Sequence, residues 1–266
     1  MFKTDTPTII EYKDIIVDFI RQYAMNSCHK KAVVGLSGGV DSALTYFLTC
    51  EALGEQNTIG IIMPYKTSNK SLTENAEKLI EMKGGIKKYY EISGPVDSFR
   101  EIFGDVSDIR LGNIMARTRM ITLYDTASRA EGLVIGTGNK TEILLGYFTV
   151  YGDGGCSMEP LGDLYKTEVW EMAGYVGIPD KIITEKPTAD LWAGQTDEAE
   201  LGISYRTADS ILYLLVEKNF SRSEIIGEGY RKEDLDRVID LMRKSRFKRH
   251  TPPVPGLRSR NSSKFI

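Results

Sequence analysis

The chain has 266 residues, with 34 lysines and arginines against 37 aspartates and glutamates, for a formal net charge of −3. At 41% hydrophobic and 27% charged residues it has the composition of a globular enzyme with a substantial core, and the slightly acidic balance argues against general nucleic-acid binding. No apolar run reaches membrane-spanning length, and the opening Met1-Phe2-Lys3-Thr4-Asp5 is no signal peptide; 3 cysteines without a CxxC pair give no support to zinc or a disulfide frame, 2 histidines exclude a histidine-rich metal site, and a reducing, cytoplasmic location is expected.

From the N-terminus, Thr8 to Asn26 has helical period and places Ile9, Tyr12, Ile16, Phe19, Ile20 and Tyr23 on one face. Lys31 to Leu36 is a predicted strand that runs into Ser37-Gly38-Gly39-Val40-Asp41-Ser42, and a helical segment follows through Leu53. A strand, a phosphate-sized turn and a helix start therefore coincide. Orphan N–H groups at such a start point at an anion, and the helix dipole adds to the attraction. The two glycines permit close backbone approach, Ser37 and Ser42 supply hydroxyl donors, and Asp41 supplies a carboxylate suited to a hydrated Mg²⁺ on phosphate oxygens. No Gly-Lys-Ser/Thr follows, so the loop is not a Walker A motif.

Thr58 to Met63 is a second buried strand, stopped by Pro64. Ser71-Leu72-Thr73-Glu74 has capping-box spacing and opens a helix toward Met82, after which Lys87 to Ile92 reads as a third strand. Gly112 to Ala130 is a long helix with Ile114, Met115, Thr118, Ile121, Thr122 and Leu123 facing inward. Leu133 to Gly136 is a fourth strand, followed by the Thr137-Gly138-Asn139 turn and a helix from Lys140 to Leu145. The alternation predicts parallel strands joined by right-handed crossovers, with ligands beyond the carboxyl ends of the strands at a switch in strand order. Beyond Gly146, Thr149 to Gly155 and Glu185 to Gly202 read as functional loops, and Ala208 to Glu217 and Lys232 to Lys244 as surface helices. A basic tail begins near Arg246. From Pro255 onward it is expected to be disordered, with a segment that orders over bound phosphates as the rival reading and Lys248 as the residue placed to reach ligand.

The Ser-Gly-Gly-Val-Asp-Ser string resembles the pyrophosphate loop of the N-type ATP pyrophosphatases. Further segments extend the likeness. They are Gly112-Asn113-Ile114-Met115-Ala116-Arg117-Thr118-Arg119-Met120, Gly136-Thr137-Gly138-Asn139-Lys140-Thr141-Glu142, Tyr151-Gly152-Asp153-Gly154-Gly155, and Lys186-Pro187-Thr188-Ala189-Asp190-Leu191 with Asp197-Glu198-Ala199-Glu200-Leu201-Gly202. Together they resemble the ammonia-utilising NAD⁺ synthetases from about Val33 to Tyr205. The resemblance implies a Rossmann-like, doubly wound α/β fold with adenine nucleotide alpha hydrolase-like topology, one synthetase domain over residues 1–266, and a homodimer. It implies ATP-dependent amidation of deamido-NAD⁺ by ammonia, giving NAD⁺, AMP and pyrophosphate through an adenylated intermediate, with no nucleic-acid or membrane partner.

Residue by residue, the resemblance gives the ATP phosphates to Gly35, Leu36, Ser37, Gly38, Gly39, Val40, Asp41 and Ser42, with further ATP contacts at Thr137, Lys166 and Thr188. Asp41 and Glu142 match Mg²⁺ carboxylates, and Asp41, Asp153 and Lys166 are the implied catalytic residues. Arg117 matches a deamido-NAD⁺ contact, as do the positions of Val150, Ser157 and Phe247-Lys248. At the first three of those positions many members carry lysine, aspartate and histidine, so the dinucleotide side departs from the pattern while the ATP side is intact. Two rival functions remain: another ATP pyrophosphatase that amidates or thiolates a nucleobase or tRNA, and a nucleotide sensor without turnover. The motifs occupy the length of the chain, so no glutaminase segment is expected and free ammonia is the implied nitrogen donor.

Overall fold

The computed structural model describes residues 4–192 and 194–255. Helix α1 (Thr6–Asn26) starts at Asp5, whose side chain accepts from the Thr8 N–H, with Pro7 in the first turn. Its buried stripe runs through Ile9, Ile16, Val17, Ile20 and Ala24. Tyr12, Phe19 and Tyr23, expected on the inner face, form an exposed flank at 36%, 44% and 38%. The apolar arc of α1 is simply wider than the strip that meets the core.

Strand β1 (Lys31–Leu36) leads into α2 (Val40–Leu53), and β2 (Thr58–Ile62) into α3 (Lys70–Lys83). Asn69 caps α3 by accepting from the Ser71 N–H at 3.0 Å, so this helix starts ahead of the predicted capping box. Strand β3 (Ile86–Tyr89) is exposed throughout and ends three residues short of Ile92, which is the N-cap of α4 (Ser93–Phe103), a helix not foreseen. Next come α5 (Asp108–Ala130), β4 (Gly132–Ile135) and α6 (Lys140–Leu145). On α5, Met115 and Thr118 are buried as expected, whereas Ile121 is 57% exposed. The remaining helices are α7 (Lys166–Tyr175), α8 (Asp180–Ile183), α9 (Asp197–Leu201), α10 (Tyr205–Val216), α11 (Arg222–Gly227) and α12 (Lys232–Lys244), followed by a 3-10 turn at Arg246–Arg249.

The sheet is wholly parallel, in the order β3-β2-β1-β4. Period-two alternation separates its two faces. Ala32, Val34 and Leu36 join the cluster under α1, α2 and α7, while Val33, Ile59, Ile61 and Val134 pack with Val96 and Met115 of α4 and α5. Helices on both faces make the fold doubly wound, as expected. A further apolar cluster gathers Leu145, Tyr205, Ile211, Ile225, Leu235 and Val238 from the C-terminal helices and α6. The chain leaves β1 toward β2 on one side and returns to β4 on the other, so the switch in strand order lies between β1 and β4. The loops that follow these two strands therefore meet in one crevice. Among the described residues no helix is long and apolar enough to cross a membrane.

Candidate active site

The crevice is a cavity of about 1120 Å³ beyond the carboxyl ends of β1 and β4. One wall is the loop after β1. Gly39 caps α2 with no side-chain hydrogen bond, so the first N–H groups of this long helix are left for a ligand. The loop braces itself: the Ser42 hydroxyl donates to the Gly39 carbonyl at 3.0 Å and accepts from the Ser37 N–H at 3.2 Å. Gly38 has φ +88° and is pressed against the Leu72 carbonyl, and alone of Gly35 to Ser42 it does not line the cavity. Its role is to make the turn.

The charged centre joins three elements. Asp41, in the first turn of α2, is ion-paired with Lys166 of α7 and accepts from the Asn139 amide at 2.9 Å. Glu142 of α6 lies 3.5 Å from the Lys166 Nζ. Asn139 and Glu142 form a true capping box: the Glu142 N–H donates to Asn139 Oδ1 at 3.0 Å and the Asn139 N–H to Glu142 Oε2 at 3.2 Å. Glu142 is thus fixed by the helix start that carries it. Burial, and then the Asp41 charge, hold its carboxyl well above the ordinary range against the pull of Lys166. Lys166 is 2% exposed; burial opposes its charge, but Asp41 and Glu142 outweigh that and keep the ammonium above its usual value. Its Nζ also lies 5.1 Å over the Tyr205 ring.

Asp41 and Glu142 thus set two carboxyl groups around one lysine beside the uncapped start of α2. Hard oxygen donors of this kind fit Mg²⁺ shared with phosphates, and Asp41 and Glu142 are the residues that would hold it. Asp197 closes the far side, accepting from the Tyr147 and Tyr205 hydroxyls at 3.0 Å each. Thr137 and Thr188, which the resemblance gives to ATP, line the cavity, and so does Asp153, whose carboxylate accepts from the Thr149 N–H at 2.9 Å.

The residues that the resemblance gives to deamido-NAD⁺ are less gathered. Val150 and Lys248 line the cavity. Lys248 is committed to the Gly146 and Phe148 carbonyls at 2.7 and 2.6 Å, so the basic segment starts as a docked turn. Arg117 points outward and donates to the Val150 carbonyl at 3.3 Å, whereas Arg119 of the same helix turns into the cavity and donates to the Met63 carbonyl at 3.1 Å. The Ser157 N–H extends the sheet edge by donating to the Val134 carbonyl at 2.8 Å, and Phe247 is 70% exposed; neither lines the cavity. Residues past Pro255, where the disordered tail was expected, lie outside the described residues.

Sequence reasoning passed over Asn139, Thr141, Asp197, Tyr205 and Asp209 as individual site residues. Only Asn139 carried a local signal, the Asn-x-x-Glu spacing of a capping box. Thr141 and Asp209 find each other across 68 positions, and Asp197 pairs with Tyr147 across 50 and with Tyr205 across 8.

A doubly wound parallel sheet, a glycine-rich loop on a helix start at the switch point, and an acid–lysine cluster beside it define a Rossmann-like nucleotide enzyme of the pyrophosphatase-loop class. Residues 12–252 match the family model for NAD synthase, and the chain belongs to that family. It is 42% identical over 244 residues to the NH₃-dependent NAD⁺ synthetase of Fusobacterium nucleatum, covering 92% of this chain and 95% of that protein. The solved structure of the NH₃-dependent NAD synthetase from Campylobacter jejuni aligns with a TM-score of 0.81 at 32% identity, over 95% of this chain and 100% of that one. The NMN synthetase of Francisella tularensis aligns with a TM-score of 0.84 at 31% identity, over 93% of this chain and 98% of that one.

Proposed function

We propose that this chain is an ammonia-dependent NAD⁺ synthetase, a ligase that amidates deamido-NAD⁺ with release of AMP and pyrophosphate. The observation that carries the reading is the Asp41–Lys166–Glu142 cluster facing an uncapped helix start inside the switch-point cavity. The loop Gly35 to Ser42 cradles the ATP phosphates, and Thr137 and Thr188 hold the nucleotide. Asp41 and Glu142 hold Mg²⁺, which supplies charge stabilisation on the phosphates when bound. Lys166 stabilises charge on the α-phosphate as the nicotinate carboxylate attacks it. Asp153 stands by the adenylated carboxyl that ammonia attacks. Arg117, Val150, Ser157, Phe247 and Lys248 form the deamido-NAD⁺ side, completed across a homodimer that brings a second copy of these residues together. The whole chain, 1–266, acts as one synthetase domain in the cytoplasm.

Little acid–base machinery is needed, because AMP and pyrophosphate leave readily; position and charge carry the rate. The test is direct. The purified protein is incubated with ATP, Mg²⁺, deamido-NAD⁺ and ammonium, and products are resolved. AMP and NAD⁺ in equal amounts are expected; ADP, or AMP without NAD⁺, would reject the proposal.

A further inference from the structure

We propose that Asp209 is a positioning residue for the reaction, a buried carboxylate that ties the start of α6 to the start of α7 and so sets Glu142 against Lys166. Asp209 is fully buried, at 0% exposure, on α10, in a segment that sequence pattern assigns to a surface helix. Its Oδ1 accepts from the Thr141 hydroxyl at 2.6 Å and its Oδ2 from the Thr167 N–H at 2.8 Å. The Thr141 Oγ1 in turn accepts from the Lys166 N–H at 2.9 Å. Each tied residue is the chain neighbour of a charged member of the site: Thr141 precedes Glu142, and Thr167 follows Lys166.

A carboxylate taken out of water is costly unless its oxygens are satisfied. Here no lysine or arginine among the described residues is ion-paired with Asp209. Its compensation comes from the Thr141 hydroxyl of α6 and from the Thr167 N–H at the first turn of α7, where the helix dipole also favours an anion. A merely apolar joint between α10 and its neighbours would need none of this. The arrangement fixes the relative height and rotation of the two short helices that carry the metal carboxylate and the phosphate lysine. Displacing such groups by about 1 Å costs on the order of a hundredfold in rate.

The inference rests on the proposed roles of Glu142 and Lys166, and its test separates the two. Asp209→Asn can accept from one donor but turns an NH₂ toward the other. It should lower kcat by roughly ten- to a hundredfold. It should also weaken calorimetric binding of Mg²⁺ with a non-hydrolysable α,β-methylene ATP analogue by about tenfold. Thr141→Val should behave alike, and Thr141→Ser, which keeps the hydroxyl, should recover to within about threefold of the parent. Ile225→Ala, a cavity in the same C-terminal cluster, should lower the melting temperature yet leave kcat and analogue affinity of the folded protein unchanged. Parent-like kcat and affinity in folded Asp209→Asn would overturn the inference, as would an equal loss in Ile225→Ala. If Asp209→Asn does not fold, the Thr141 pair decides: no difference between valine and serine refutes it. A parent enzyme that makes no NAD⁺ would instead reject the function, while the calorimetric arm would still judge Asp209.

Discussion

Replacing Gly38 by alanine should cost both stability and turnover. Gly38 has φ +88°, and a Cβ there would lie 2.0 Å from the Leu72 carbonyl oxygen and 2.7 Å from its carbon. Ordinary contact begins near 3.4 Å, so the two backbones must part by about 1.4 Å. Leu72 is poorly able to yield: it is 6% exposed and sits in the first turn of α3, whose cap Asn69 also donates its N–H to Asp190 at 2.8 Å. A left-handed alanine costs about 1–2 kcal/mol, and forced opening of a packed contact adds about 1–3 kcal/mol. Together they should lower the melting temperature by roughly 5–15 °C for a chain of this size. The same shift moves the phosphate loop, so kcat/KM for ATP should fall by about a hundredfold. The neighbour provides the control, because a Cβ on Gly39 meets only the Ser37 Oγ at 3.4 Å and its φ is an ordinary −87°. Gly39→Ala should therefore keep the parent melting temperature to within about 2 °C. Thermal melts with pyrophosphate-release kinetics would check both. Equal melting temperatures for the two variants would refute the steric reasoning.

Asp41→Asn should still bind ATP but lose about a hundredfold or more in turnover, since an amide cannot replace a carboxylate on Mg²⁺; near-normal turnover at saturating Mg²⁺ would remove it from the metal site. Light scattering should show a homodimer, and Ile121→Glu, on the exposed flank of α5, should weaken it; a fully active monomer would count against the shared site. Burial lifts the Asp209 carboxyl to about 6 against the pull of its Thr141 and Thr167 hydrogen bonds. A carboxyl raised on folding contributes stability below its unfolded value of about 3.9, and loses it as pH rises through about 6. The parent should thus lose stability over that window relative to Asp209→Asn, and parallel denaturation curves would contradict the shift. Only NH₃ is nucleophilic, so at fixed total ammonium the rate should climb as pH rises from neutral; equal rates with glutamine and ammonium would overturn ammonia as the donor.

Those parts of the fold that depend on neighbours in sequence were legible. The strand–loop–helix unit from Lys31 to Leu53 and the helix Lys140–Leu145 follow from apolar runs and glycine turns within a dozen or so residues. Helices α4, α7 and α11 were not read as elements, and β3 was extended three residues too far, to Ile92, the N-cap of α4. Periodicity also overstated burial. It placed Phe19 and Ile121 inward, because it records which side chains share a face and not how much of that face another element covers. At the site, the loop and its acid were visible, and the resemblance supplied Glu142 and Lys166. Their mutual contact was not visible, since Asp41 and Lys166 are 125 positions apart, Asp41 and Asn139 98, and Thr141 and Asp209 68.

That long-range layer also argues for what the cluster does. Burying a lysine between two carboxylates is rarely worth its desolvation as a source of stability, and well-packed apolar residues in the same volume often serve a fold better. Here the cost is accepted three times within one region, at Lys166, at Asp197 and at Asp209, each less than 5% exposed. The three differ in what offsets them: opposed charges for Lys166, two tyrosine hydroxyls for Asp197, and two helix starts for Asp209. A core selected for stability alone has no reason to gather them beside a loop that presents free helix N–H groups to the switch-point cavity. A site that must hold several phosphates and a dication in register has that reason, because a rate carried by placement and charge is only as good as the groups that fix them.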